Sequence, residues 1–307
     1  MTSENYFALV RACDALLLAP GATNDRVAVP WLHVIREHPV FLENYAAVFR
    51  RRAWLADTWE SLQQRIAALK ERVRGVTRER GADREGWKQR RAEVLFVSHL
   101  LNAGQLDAPE DFYFGALPQS LEQQGIPSVV ALIDHRASGS RRVAHPSAEI
   151  TPQRVVLSRR LDRRMERTLS FHQRRAVSEL KAAAAETSDA FCARVAECAI
   201  WYARGPETRA ALRIGLHVEA LVRQLKPALV ITTHEGHAWE RLVFRGARRA
   251  SPDVLVVGYH ATALFRHQHA LRRRLGQDLD PDVILSVGPI TQLALQASEG
   301  LRGIEIG

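Results

Sequence analysis

Hydrophobic and polar positions follow two rhythms along this chain, and the change falls near residue 90. From Phe41 an apolar stripe steps through Tyr45, Val48, Leu55, Trp59, Leu62, Ile66, Leu69 and Val73, mostly by threes and fours, with Arg52 as the interruption. That spacing puts the side chains on one seam of a helix. It predicts a helical region over residues 1–90, whose 41–76 stretch lies on its own domain or docks a partner or a second copy. Gly81 to Gly86 supplies a polar break suited to a boundary.

Beyond Arg91 the rhythm becomes short apolar runs, each followed by a loop and a helical stretch. The runs are Val94–Ser98, Ser128–Ile133, Arg154–Leu157, Ala228–Thr233, Val254–Gly258 and Val283–Val287. Near-continuous apolar strands separated by helices predict a parallel sheet covered on both faces. The stretch from about Asp162 to Lys226 predicts an all-helical insert. The fold class expected is α/β, a Rossmann-like doubly wound sheet spanning residues 91–307.

In such a sheet ligands bind beyond the carboxyl ends of the strands, so the residues following each run matter most. They are Ser98, His99 and Asn102; Asp134, His135 and Arg136; Ser158, Arg159 and Arg160; Thr233, His234, Glu235, Gly236 and His237; Gly258, Tyr259 and His260; and Ser286 to Gly288. Five of six strands thus deliver a His or an Arg pair to one edge. Glu235 is the sharpest candidate: Gly236 permits a tight turn, and a helix starting near His237 or Ala238 would lower the carboxyl pKa. A carboxylate there can also be a plain helix cap. Glu240, further along, could support Arg241 or a contact behind the site.

Composition then restricts the classes. The 307 residues are 46% hydrophobic and 25% charged, which excludes a disordered or low-complexity chain. The longest apolar candidate near the start, Ala15 to Ala19, is far short of the ~18 residues a membrane span needs, and no basic stretch precedes it as in a signal peptide. Cys13, Cys192 and Cys198 form no CxxC pair and no even framework, which suits a reducing compartment and a cytoplasmic protein.

The net charge of +9 is uneven: Arg136 to Arg175 holds eleven Arg against three acids, and Arg241 to Arg274 eight against one. Such stripes attract nucleic acid, acidic lipid or phosphorylated small molecules, or are simply solvated. Nucleic acid is disfavoured, because the Arg runs lack interleaved aromatics and no zinc-finger, RNP or basic-zipper pattern occurs.

Other chemistries lack their motifs: there is no Walker loop, no G-x-G-x-x-G after the first strand and no G-x-S-x-G elbow. His234-Glu235-Gly236-His237 is one residue short of HExxH, and no Cys or Asp cluster completes a zinc shell, so no metal is expected.

The ordered segments Val94 to Asn102, Asp111 to Gly115 with Leu117-Pro118, His234 to Glu240, Gly258 to His260 and Pro281 to Gly288 resemble bacterial surface-carbohydrate biosynthesis proteins, which are similar to GT-B-fold glycosyltransferases of capsule and O-antigen assembly. The resemblance implies transfer of a sugar from a nucleotide-activated donor to a growing glycan, without a metal or other cofactor. Residues 91–307 would be the acceptor-type half, with Glu235 as the acidic residue of the cleft, His260 beside it, and Ser98, His99, Asn102, His135, Arg159, Arg160, His234, Gly236, His237, Glu240 and Tyr259 around the substrates. A donor-binding domain is not visible before Gly307: either the sequence is a fragment of a longer enzyme, or a partner glycosyltransferase domain supplies the donor half, with the inner face of the membrane as a place of association, or the protein binds glycan without transferring sugar. The alternatives are a glycan-binding scaffold module without catalysis and, third, a basic RNA-binding protein.

Overall fold

The computed structural model of the protein describes residues 2–19, 24–34, 42–49, 91–136 and 152–307. Most of the 41–76 seam and all of the polar break at 81–86 lie outside the described residues; Tyr45 and Val48 of the seam are buried.

Seven strands form one sheet: β1 (Val94–Leu100), β2 (Ser128–Asp134), β3 (Gln153–Leu157), β4 (Leu229–Thr233), β5 (Leu255–His260), β6 (Val283–Ser286) and β7 (Glu305–Ile306). Their order is β3-β2-β1-β4-β5-β6-β7, and every neighbouring pair is parallel. Both faces of β1 and β2 are covered, which is why they read as apolar runs rather than as alternation. The chain winds outward from β1 through β2 to β3, then returns to β4 on the other flank of β1. The winding therefore reverses between β1 and β4, the position where open α/β sheets hold their ligands. The protein is thus α/β, with a Rossmann-like, all-parallel, doubly wound sheet. Two-residue β7 is too short to leave a sequence signal.

The helices are α1 (Ser3–Leu18), α2 (Leu117–Gln123), α3 (Arg163–Glu186), α4 (Ala190–Ala203), α5 (Pro206–Leu225), α6 (Ala238–Ala250) and α7 (Pro289–Gln296). The expected helical insert is α3 to α5. Asp162 and Asp189 cap α3 and α4 by accepting from the Met165 and Cys192 backbone N–H groups, while Pro206 opens α5 with its preset φ.

One face of the sheet packs Leu95, Val97, Val129, Val230 and Val256 against α5 and α6 through Val218, Val222, Val243 and Phe244. The other face places Phe96, Val130, Leu132 and Ile231 under Leu106, Phe114 and part of α2. α5 and α6 cross closely because two glycines meet there: a Cβ on Gly246 would lie 2.6 Å from the Gly215 carbonyl oxygen.

The described N-terminal residues share a core with the insert: Leu9, Cys13, Leu16, Trp31 and Leu32 pack on Ala176, Leu180, Val195 and Ala199, and on Leu275 and Leu279. Buried and half-buried ion pairs tie the same elements. Asp25 meets His172, Arg175 and Arg245, and Asp14 meets Arg273 and His269. Cys13 is buried and Cys192 and Cys198 are half-buried against this core; all three are free thiols. No helix among the described residues is long and apolar enough to cross a membrane.

Candidate functional site

The side chains richest in chemistry meet at the carboxyl ends of β1, β2 and β4. His99, at the penultimate position of β1, is paired through Nδ1 with His135 Nε2 at 2.8 Å and through Nε2 with Thr233 Oγ1 at 3.1 Å. Tyr113 and Trp239 flank the same imidazole, their ring centres 4.9 and 5.1 Å away. Burial, then the neighbouring His135, pushes His99 down to about 4, so the ring is neutral at pH 7. His135 is also lowered, chiefly by desolvation, with Arg159 and His237 adding to it against Asp134.

The β4–α6 turn carries the rest. A helix start leaves backbone N–H groups without partners, and the negative group that takes them is Glu240, at the third position of α6, rather than Glu235. Its carboxylate accepts from the Glu235, Gly236 and His237 backbone N–H groups at 2.8–3.1 Å and from His234 Nδ1 at 3.3 Å. Burial works to raise the Glu240 pKa, but the His234 bond, the nearby His237 and the backbone donors hold it below the usual carboxylate range. Desolvation lowers the His234 pKa against the opposing pull of Glu240, and Nδ1 donates to the Glu240 carboxylate. Gly236 takes φ +91°, and a Cβ there would lie 2.4 Å from the Ala270 carbonyl carbon, so the turn is pinned beneath the 261–279 loop.

With the turn closed by Glu240, Glu235 stands at the edge. Its side chain is 17% exposed, Thr262 donates to Oε1 at 3.3 Å, and His237 Nε2 lies 3.6 Å from Oε2. Tyr113 faces this group: burial, with Glu235 and Asp111 nearby, raises its hydroxyl pKa. Trp239 lies near-parallel to His237, ring centres 6.4 Å apart. Glu235, His237, His99, His135, Tyr113, Trp239 and Thr262 therefore form one constellation of carboxylate, imidazole, hydroxyl and aromatic groups. Arg159 borders it, donating to the Asp134 backbone oxygen at 3.1 Å beside His135.

The other residues expected at the site lie elsewhere, for reasons of side-chain direction. Neighbouring residues of a strand point to opposite faces, so Ser98 is turned away from His99 and donates to Asp111 at 2.9 Å in the buried layer. Tyr259 likewise packs on Phe114, ring centres 5.5 Å apart. Asn102 closes a 3₁₀ turn with Gln105. The Arg160 backbone N–H bonds Ser158 Oγ in the β3–α3 loop. His260 is fully buried, and its Nδ1 donates to the His234 carbonyl at 3.0 Å, so it braces the turn from behind and does not open onto the edge beside Glu235. Glu240, expected to support Arg241 or a contact behind the site, does the second by closing the turn, while Arg241 binds Asp280 at 2.6 Å. Thr262 carried no sequence signal: it sits in a loop between β5 and β6 and meets Glu235 only through the fold.

A cavity of about 500 Å³ opens at the far end of α6, lined by Arg245, Arg248, Arg249, Asp253, Leu255 and Asp282 among others. Arg245 there is bonded to Asp25 and Arg248 to Asp282, so two of its cations are already engaged. The reactive groups gather at the opposite edge of the sheet. Among the described residues no group of three or more His, Cys, Asp or Glu is arranged to hold a metal ion. Comparison of the chain with protein-family models, curated proteins and solved structures finds no match.

Proposed function

We propose that the protein is a glycosyltransferase, or the acceptor-binding half of one, and that Glu235 removes the proton from the acceptor hydroxyl. The observation that carries this reading is the division of labour in the β4–α6 turn. Glu240 consumes the capping N–H groups, and the Glu235 carboxylate stands at the switch-point edge between Thr262 and His237. A carboxylate so placed can accept a proton from a hydroxyl bound beside it. The flat faces of Trp239 and Tyr113 suit a sugar ring, and His99, His135 and His237 supply hydroxyl-binding nitrogens. The resemblance of five ordered segments to surface-carbohydrate proteins supports the same chemistry and suggests the GT-B arrangement.

In the transfer step the acceptor oxygen bonds to the anomeric carbon of a nucleotide sugar. The bond from that carbon to the diphosphate breaks, the nucleoside diphosphate leaves with the electron pair, and the acceptor proton passes to Glu235. Arg159, with imidazole N–H donors at the edge, would offset the charge on the leaving group. The partners this requires are a glycan acceptor, a nucleotide sugar and a donor-binding domain.

The test measures release of nucleoside diphosphate from a panel of nucleotide sugars, with the intact natural protein and its cellular partners present, and acceptor binding by calorimetry. Glu235→Gln is expected to lower turnover 10²–10⁴-fold while leaving acceptor affinity within a few-fold; Trp239→Ala weakens acceptor affinity. Unchanged turnover in Glu235→Gln removes Glu235 from the reaction. Glycan binding with no turnover for any donor assigns the edge to a binding module instead.

A further inference from the structure

Helix α3 carries a cationic strip free of acidic residues on its outer side. Its inner side is fixed by Leu169, His172, Ala176 and Leu180, all buried, and its packing partners are α4, α5 and the 3₁₀ turn Asp25–Ala28. At 3.6 residues per turn, Arg163, Arg164, Arg167, Phe171, Arg174, Arg175 and Lys181 fall within an arc of roughly 120° on the opposite side. The acids of the helix lie off that arc and two of them are engaged: Glu166 pairs with Arg209, and Glu179 accepts from the Arg26 backbone N–H. Arg163, Arg164, Arg167, Arg174 and Lys181 make no ion pair with a described residue. From Arg163 to Lys181 the strip runs about 27 Å. Near its middle Phe171 is 48% exposed, with the Arg175 guanidinium 5.2 Å from its ring centre.

We propose that this face of α3 docks the protein on an anionic lipid bilayer. Charge complementarity selects the occupant. A straight helix with cations along one side and a single aromatic at mid-length matches a plane of phosphate headgroups, into which the ring can dip. Single-stranded nucleic acid calls for several stacking aromatics in a groove; the remaining positions in the arc are Ser178, Ala182 and Ala185, which neither stack nor read bases. The strip starts three residues after Arg160, at the sheet edge that holds Glu235 and His135, so docking would bring that edge to the membrane surface. This inference does not depend on the sugar-transfer reading.

The experiment is co-sedimentation of the full chain with vesicles of phosphatidylcholine alone or with 30% phosphatidylglycerol added. Binding is expected only to the anionic vesicles at 0.1 M salt, with release at 0.5 M. Replacing one arginine near the surface should weaken partition about fivefold, so the combined variant Arg163→Gln, Arg167→Gln, Arg174→Gln should lose about a hundredfold. Glutamine keeps helix propensity, and an unchanged circular-dichroism melt shows that the fold is kept. Phe171→Ser should weaken partition several-fold, and Arg223→Gln with Arg302→Gln, elsewhere on the surface, should change it less than twofold. Absence of binding to anionic vesicles overturns the proposal. So does equal binding by the triple variant, or displacement from vesicles by duplex RNA at equal phosphate concentration.

Discussion

Replacing Glu240 tests the account of the β4–α6 turn directly. Its Oε2 accepts from Gly236 and His237 at 2.8 Å, from Glu235 at 3.0 Å and from His234 Nδ1 at 3.3 Å, while Oε1 accepts from Glu235 at 3.1 Å. Glu240→Gln keeps the shape but discharges the acceptor and sets an NH₂ group against one of those donors. Charge-assisted bonds exceed neutral ones by about 1 kcal/mol each, and the relief of burying an anion offsets part of the loss, leaving a net cost of about 2–3 kcal/mol. Glu240→Ala strands several of these donors and opens a void, for about 4–5 kcal/mol. Urea unfolding with an unchanged m-value is the assay. The carboxyl pKa is lowered in the folded state, so its stabilisation is complete above the unfolded carboxylate value and fades as pH falls through the folded one. The wild-type advantage over Glu240→Gln should therefore shrink on acidification below about pH 4. A Gln cost under about 1 kcal/mol, or a pH-independent gap, would refute the proposed role of the carboxylate. Glu235→Gln should behave oppositely, changing turnover and leaving stability nearly untouched.

Three further outcomes follow from buried groups. With His99 held near 4 when folded, the unfolded chain takes up the proton first, so stability falls as pH drops from 6.5 towards 4, by as much as about 3 kcal/mol; an NMR titration placing this ring near 6.5 would contradict it. Gly236→Ala combines φ +91° with a Cβ 2.4–2.6 Å from the Ala270–Leu271 backbone. It should cost more than about 2 kcal/mol and speed amide exchange in the 261–279 loop; native-like exchange counts against the pinned turn. Arg241→Met leaves Asp280 buried without its main cation, for about 3–5 kcal/mol, and Asp280→Asn in the same background should recover part of that in chemical denaturation; no recovery means the pair is not coupled.

Much of the scaffold was legible in the chain itself. The six apolar runs are β1 to β6 with ends shifted by two residues or fewer; β1 and β2 read most clearly, because a strand buried on both faces has to be apolar throughout. The helix start at Ala238 was legible for a similar local reason, since Gly236 and the following polar residues mark a tight turn. Placement of His99, His135 and Glu235 at one edge followed from strand order alone, as parallel strands present all their carboxyl ends together.

Tertiary structure decided what each of those residues does. Whether Glu235 or Glu240 closes the turn depends on which carboxylate reaches three N–H groups at once, a matter of ångströms that spacing does not encode. The burial of His260 behind His234, the turning of Ser98 and Tyr259 to the other face, and the meeting of Thr262 with Glu235 depend on the angle at which loops return over the sheet. The same holds for the arginines: composition shows that the stretch is basic, but only the packing of Leu169, His172, Ala176 and Leu180 fixes which side of α3 faces water. Hydrophobic pattern is set by burial, which each residue reports by its own type; function here rests on distances between residues far apart in the chain.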